Sequence, residues 1–301
     1  MTTPVAASEH RRGLVYGVAA YGLWGVVPIF WKLLAHVDPI EVLAHRVLWG
    51  LLTFLVIVYF AGATATLRAA LNERRTLGVM ALSGTLLAIN WGVFIGAVAT
   101  DHLLDASLGY FINPLVSVAL GTIVLRERLR RLQWVAIACA LVGVSLLTWQ
   151  LGRVPWISLV LAGSFGVYGL VRKTARVDSL VGSTIETLLM LPLALLWLVL
   201  LAVQGGGELG RVDWVEHSLL VATGVVTAGP LLLFTSAARR LPLATVGFLQ
   251  YLAPTGQFLL AVFVFDEPFA RAQLLAFGFI WIGLGVFSLD LWRRQRATPQ
   301  Q

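Results

Sequence analysis

Ten times between residues 14 and 292 the chain runs apolar for about 20 residues, the length a helix needs to cross the hydrocarbon core of a bilayer. The runs cover roughly 14–35, 43–61, 77–99, 103–125, 132–150, 155–172, 180–203, 217–238, 243–265 and 272–292. In lipid no water is at hand for exposed backbone groups, so each run is expected to close its own hydrogen bonds as a helix. Of all residues 58% are hydrophobic and only 12% charged, about half the charge of a soluble domain. The longest polar gaps, 62–76 and 204–216, leave no room for one. The expectation is an all-α integral membrane protein with ten transmembrane helices. The first run follows His10-Arg11-Arg12 as a signal peptide would, but it exceeds a cleavable core and leads directly into further spans, so it reads as a retained helix. Cys139 is the single cysteine and lies in a span, which excludes an intrachain disulfide.

The net charge of +7 raises the question of a nucleic-acid partner, and its distribution answers it. Arg11 and Arg12 precede the first run. Arg68, Arg74 and Arg75 follow the second; Arg126, Arg128, Arg130 and Arg131 follow the fourth. Arg172, Lys173 and Arg176 follow the sixth, Arg239 and Arg240 the eighth, and Arg293, Arg294 and Arg296 the tenth. That puts 17 of the 22 Lys and Arg residues on one side, against Arg153, Arg211 and Arg271 in the opposite loops. By the positive-inside rule the chain is expected in a cell inner membrane with both termini cytoplasmic. The basic excess thus orients the chain on a lipid bilayer and calls for no nucleic acid.

The chain also repeats itself at an offset of 140 residues. Pro114 falls on Pro254, Glu127 on Glu267, Arg131 on Arg271, Gln133 on Gln273 and Gly143 on Gly283. Ala35-His36-Val37-Asp38 falls on Ala175-Arg176-Val177-Asp178, Lys32 on Arg172, Gly84 on Gly224, Phe94 on Phe234 and Ala97 on Ala237. An ungapped register through all ten runs is far harder to obtain by chance than single matches between apolar helices. Each half holds five helices, an odd number, so the second enters the membrane inverted. The expected divisions are a tail at 1–13, a first repeat at 14–150, an inverted second repeat at 151–292 and a tail at 293–301. Inverted repeats are a transporter signature, because a site between the halves opens to either side when one rocks on the other.

Seven segments carry a further resemblance: "AAYGLWGVVPIFWKLL" (19–34), "EVLAHRVLW" (41–49), "NWGVFIGAV" (90–98), "LDASLGYFINPL" (104–115), "RERLRRLQW" (126–134), "YGLVRK" (168–173) and "GFLQYLAPT" (247–255). With these the chain resembles the RarD branch of the EamA family, in the drug/metabolite transporter superfamily, over almost its whole length. The resemblance implies ten helices in an inverted five-plus-five arrangement and inner-membrane transport of a small metabolite or drug. The branch is linked by name to chloramphenicol sensitivity, a phenotype that does not specify a transported molecule.

Ionisable and amide side chains inside spans are costly and mark candidate sites. Lys32 and Arg46, with His45 beside the latter, place positive charge on the side otherwise kept poor in it. They read as an anion or carboxylate site, or as headgroup anchors. Glu186, the repeat mate of Arg46, is either paired structurally to Arg172 or Lys173 or titrates in proton coupling. Tyr110, Asn113 and Ser117 lie at i, i+3 and i+7 on one helix face, and Gln250, Tyr251 and Gln257 follow in the matching helix. Pro114 and Pro254, with Pro28 in the first run, each remove an amide hydrogen. The helix breaks expected there either bend helices around a cavity or are packing kinks. Trp24, Asn90, Trp91 and Tyr168 complete the expected substrate-binding set, aromatic walls with a few polar groups being what small-molecule cavities use. Glu127 and Glu267, just past spans, read as structural and as part of a gate.

No Gly-rich phosphate loop, HExxH or Cys/His cluster is present. The expectation is therefore no enzyme, no cofactor and no metal. The partners expected are a small-molecule substrate and the bilayer; the oligomeric state has no signal in the sequence. Transport through a central cavity is set against a channel or facilitator pore. The cations favour a carboxylate-bearing, amino-acid-like substrate.

Overall fold

The computed structural model describes residues 4–100, 102–151, 154–205, 214–264 and 271–297. Thirteen helical segments account for the secondary structure there: α1 (Pro4–Val26), α2 (Pro28–Leu33), α3 (Pro39–Phe60), α4 (Thr64–Asn72), α5 (Arg74–Ala99), α6 (Leu103–Ile123), α7 (Arg131–Leu151), α8 (Trp156–Thr174), α9 (Ser179–Val203), α10 (Trp214–Arg240), α11 (Leu243–Gln250), α12 (Leu252–Phe263) and α13 (Arg271–Ala297). Among the described residues seven stretches are long and apolar enough to cross a membrane, where the sequence suggested ten. The shortfall has local causes. α8 ends in Arg172 and Lys173. The run 243–265 is divided at Tyr251, leaving pieces of 8 and 12 residues, or about 12 and 18 Å at the helical rise. The tenth run lies within α13, a helix of 27 residues whose apolar stretch among the described residues is Leu274–Asp290.

The three expected proline breaks divide. Pro28 follows the interruption at Val27 that separates α1 from α2. Pro254 lies just past the interruption at Tyr251. Pro114 does not break its helix: α6 runs through it from Leu103 to Ile123, a correction to the expectation. Proline deprives only the carbonyl four residues back of a donor, and neighbouring groups can replace one bond. The structure shows such a replacement at Pro28, where Gln257 Nε2 in α12 donates to the Trp24 carbonyl at 3.1 Å.

The helices pair in a pattern that the 140-residue offset nearly preserves. α6 packs on α8, and correspondingly α12 on α1; α1 packs on α10, and α8 on α5; α3 packs on α10, and α9 on α5. α3 with α9, α6 with α11 and α7 with α13 map onto themselves. Atomic detail follows the same rule. A methyl group added at Gly143 would lie 2.7 Å from the Ala276 carbonyl, and one at Gly283 would lie 2.8 Å from the Ala136 carbonyl. Residues 136 and 276 are themselves repeat mates, so α7 and α13 meet through one contact made twice. Glycine is required at both positions because any side chain would part the helices. Helix starts repeat too: Asp38 accepts from the Ile40 and Glu41 amides at the head of α3, and Asp178 accepts from the Val181 amide at the head of α9.

Two buried clusters hold the bundle. One joins α6, α7, α11 and α13 through Phe111, Ala136, Phe248, Phe277 and Phe287, with the Phe248 and Phe287 rings stacked 4.0 Å apart. The other joins α1, α8 and α10 through Tyr21, Tyr168 and Phe234, with Trp24 and Phe165 against it.

Candidate functional site

Arg46, seven residues into the helix that Asp38 caps, is where the structure gathers most of the expected chemistry. Its guanidinium carbon lies 4.8 Å from the Trp31 ring centre and 4.7 Å from that of Trp91, so indoles from α2 and α5 approach the cation. Its Nε–H donates to Thr227 Oγ1 of α10 at 3.1 Å. The two terminal nitrogens have no protein acceptor among the described residues. Tyr110 of α6 is within electrostatic reach of the guanidinium. Trp31, Arg46 and Trp91 are half-buried and Tyr110 keeps 37% of its surface exposed. These partly exposed side chains border a shared recess. Phe94, 6.0 Å from the Tyr110 ring, extends its wall.

Geometry decides what such a recess can hold. A guanidinium flanked by aromatic rings and tied at Nε presents its remaining edge, whose parallel N–H groups match the two oxygens of a carboxylate.

The other expected residues fall outside this recess. Asn113 and Gln250 are buried at 6% and 5% exposure, with Ser117 and Tyr21 close by. Gln250 Nε2 donates to Ser117 Oγ at 3.2 Å, while among the described residues Asn113 Oδ1 and Gln250 Oε1 make no hydrogen bond. The expected stripe is therefore split, with Tyr110 on the recess, Asn113 buried and Ser117 bonded to Gln250 between α6 and α11. Tyr251 is 1% exposed and bonds the Phe111 carbonyl, that of its own repeat mate, at 3.2 Å. Asn90 is buried and ties α5 to α8 through the Leu161 carbonyl at 2.9 Å and Ser164 Oγ at 3.1 Å. Trp24 belongs to the aromatic cluster on Phe165 and Phe234. Lys32 is exposed on α2, next to Trp31.

Glu186 and Arg172 are each fully buried and pair at 3.5 Å. Glu186 also accepts from Ser83 and, at 3.3 Å, from the Tyr168 hydroxyl, which places Tyr168 here rather than on the recess. Arg172 further bonds the Ser179 carbonyl at 3.0 Å and Met80 Sδ at 3.1 Å. Met80 lines a separate cavity of about 280 Å³ with Glu73, Arg75, Thr76, Thr174 and Arg176, which contains none of the expected site residues. Glu127 accepts from the amides of Leu243 and Ala244 at 2.7 and 3.0 Å, fastening the head of α11, and lies 4.0 Å from Lys173. Its flanking arginines are not its partners here. Glu267 lies outside the described residues.

Thr227 carried no signal in the sequence, because a threonine in an apolar run usually bonds its own helix and looks inert. Trp31 had the same helical spacing as Trp24, but nothing in the pattern said which indole would reach Arg46.

A bundle of apolar helices, seven stretches of which among the described residues can cross a bilayer, defines a polytopic membrane protein. The EamA-like transporter family model matches residues 11–149. An uncharacterized transporter, PA0485 of Pseudomonas aeruginosa, is 46% identical over 98% of this chain and 99% of its own. Protein RarD of Escherichia coli is 41% identical over 98% and 99%. The chloramphenicol-sensitive protein RarD of Pseudomonas aeruginosa is 34% identical over 96% and 98%. The chain therefore belongs to the EamA-like transporter family, in its RarD branch. A solved crystal structure with 20% identity superposes at a TM-score of 0.72 over 92% of this chain and 97% of that one, which establishes the shared fold.

Proposed function

We propose that the protein is an alternating-access transporter of the cell inner membrane, with both termini cytoplasmic. It carries a small carboxylate-bearing metabolite or drug through the recess at Arg46. Ten spans in two inverted repeats, 14–150 and 151–292, form the moving parts. The repeat-related pairings and the mated contacts of Gly143 and Gly283 support that division. The observation that carries the substrate reading is the Arg46 guanidinium beside Trp31 and Trp91 with its terminal edge uncommitted. The indoles and Tyr110 suit an aromatic or amphipathic body. With no ATP-binding motif in the chain, gradients of ion or substrate drive the cycle, or transport is facilitated.

A proteoliposome screen of amino acids and other carboxylates, with and without a pH gradient, tests this. Arg46→Gln abolishes transport of whichever carboxylate is carried while membrane abundance holds. Arg46→Lys rescues it only in part, since an ammonium cannot form the two-pronged contact. Transport unimpaired in Arg46→Gln returns the residue to a headgroup anchor. Counterflow separates transporter from pore: substrate loaded inside accelerates uptake by a transporter and not by a channel.

A further inference from the structure

We infer that the Glu41–His45 pair is a proton-binding site coupled to the anion at Arg46, so that proton and carboxylate are carried together. This rests on the carboxylate reading of Arg46 and adds the co-transported ion to it.

Glu41, His45 and Trp49 follow one another at four-residue steps along one face of α3. Trp49 Nε1 lies 3.2 Å from His45 Nδ1. An indole N–H can only donate, so Nδ1 holds a lone pair and the neutral ring carries its hydrogen on Nε2. Among the described residues Nε2 makes no hydrogen bond; it sits 4.0 Å from Glu41 Oε1, and both residues are 2% exposed. A second proton must enter at Nδ1, where it opposes the Trp49 donor. Taking it up moves the ring or the indole and places a new positive charge one residue from Arg46.

The repeat shows that the fold does not demand this stripe. The mates of Glu41, His45 and Trp49 are Val181, Ile185 and Leu189, and Val181 and Ile185 are fully buried in α9. The same helix position is built from hydrocarbon in one half and from titratable groups in the other. Glu186, the buried acid of the second half, occupies the place of Arg46 instead and is held by Ser83, Tyr168 and Arg172. Around His45, α3 itself contributes Glu41 and Arg46. α10 contributes His217, within electrostatic reach, and Glu216, which bonds His36 at 2.7 Å. α9 meets this stretch with the apolar Ala194 and Leu198.

The sign follows from linkage. A protonated His45 favours an anion at Arg46, so acid strengthens carboxylate binding, and carboxylate binding strengthens proton binding by the same factor. A unit charge up to about 10 Å away, at an effective dielectric of about 20, changes affinity on the order of tenfold.

The test is titration of the full chain in detergent micelles with benzoate and with phenylalanine, read by tryptophan fluorescence because Trp31 and Trp91 flank Arg46. It is run at about pH 5.5 and about pH 7.5, either side of histidine's ordinary titration. The wild type binds a probe on the order of tenfold more tightly at the lower pH and takes up protons from a weakly buffered solution as it does so. His45→Gln binds with an affinity that no longer changes with pH and without proton uptake. Glu41→Gln, a second variant that leaves the imidazole in place, weakens the pH dependence. Proton uptake persisting in His45→Gln, or a wild type that binds a probe with no uptake, overturns the coupling while leaving the Arg46 reading standing. Absence of quenching by either probe in the wild type, or quenching that survives in Arg46→Gln, overturns the carboxylate reading and the coupling with it.

Discussion

Removing one partner of the Arg172–Glu186 pair is expected to destabilise the protein far more than removing both. The two groups are fully buried and 3.5 Å apart. At an effective dielectric of about 20 their attraction is about 5 kcal/mol, set against the cost of taking both charges out of water. Glu186→Gln leaves the guanidinium with neutral acceptors only and costs about 3–5 kcal/mol, the range for an uncompensated buried charge. Arg172→Met strands the carboxylate on Ser83 and Tyr168 and costs a similar amount. The double variant buries no charge. Its loss is expected to be smaller than that of either single variant, because a neutral pair of similar volume replaces a buried ion pair at little cost. The assay is unfolding by SDS titration in mixed micelles, taken round the full double-mutant cycle. Single variants within about 1 kcal/mol of the wild type, or a double variant whose loss equals the sum of the two, would refute the reasoning. Should Glu186→Gln prove stable but lose accumulation driven by a pH gradient, the acid would be a coupling residue instead.

Two further outcomes follow. Gln257→Leu leaves the Trp24 carbonyl without its donor and should cost about 1–3 kcal/mol in the same unfolding assay, together with faster hydrogen exchange at the α1–α2 junction; no change in either would mean another group satisfies the break. With Cys139 replaced, cysteines introduced as Gly62→Cys and Gly152→Cys should label from opposite sides of the membrane, and labelling of both from one side would rule out the inverted second repeat.

Apolar length and charge bias made the membrane class legible from sequence, because both are summed over many residues. The repeat register was legible because glycines and caps recur at fixed spacing: Asp38 with Asp178 and Gly143 with Gly283 each hold the same place in the structure. Spacing along one helix could not assign side chains to a common space. Tyr110 and Asn113 are a turn apart on one face, yet one borders the recess and the other is buried, because neighbouring helices decide which part of a face is covered. Proline was similarly ambiguous. Pro114 and Pro254 are repeat mates, but only the second accompanies a break, since the outcome depends on what stands ready to satisfy the backbone nearby.

The symmetry of the fold makes the asymmetry of its chemistry informative. The repeat mates of Trp31, Trp91 and Thr227 are Val171, Leu231 and Leu87, and the mate of Arg46 is Glu186. Arg46 and its mate therefore do not sit in equivalent surroundings. The packing is unequal as well: α10 lies against α3 more extensively than its mate α5 lies against α9, and α6 against α8 more than α12 and α11 against α1. Halves that share a fold but differ in packing are what rocking requires, because exchanging the two arrangements exchanges the side to which a site opens. Under the proposed cycle, that exchange loosens α10 from α3. Arg46 holds Thr227 across this interface, and Trp49, the His45 partner, belongs to the same α3 segment, with its backbone 2.4 Å from where a methyl on Gly224 of α10 would stand. On that proposal, the contact that opens is the one the anion and the proton both adjoin, so their binding energies act directly on the step that moves them.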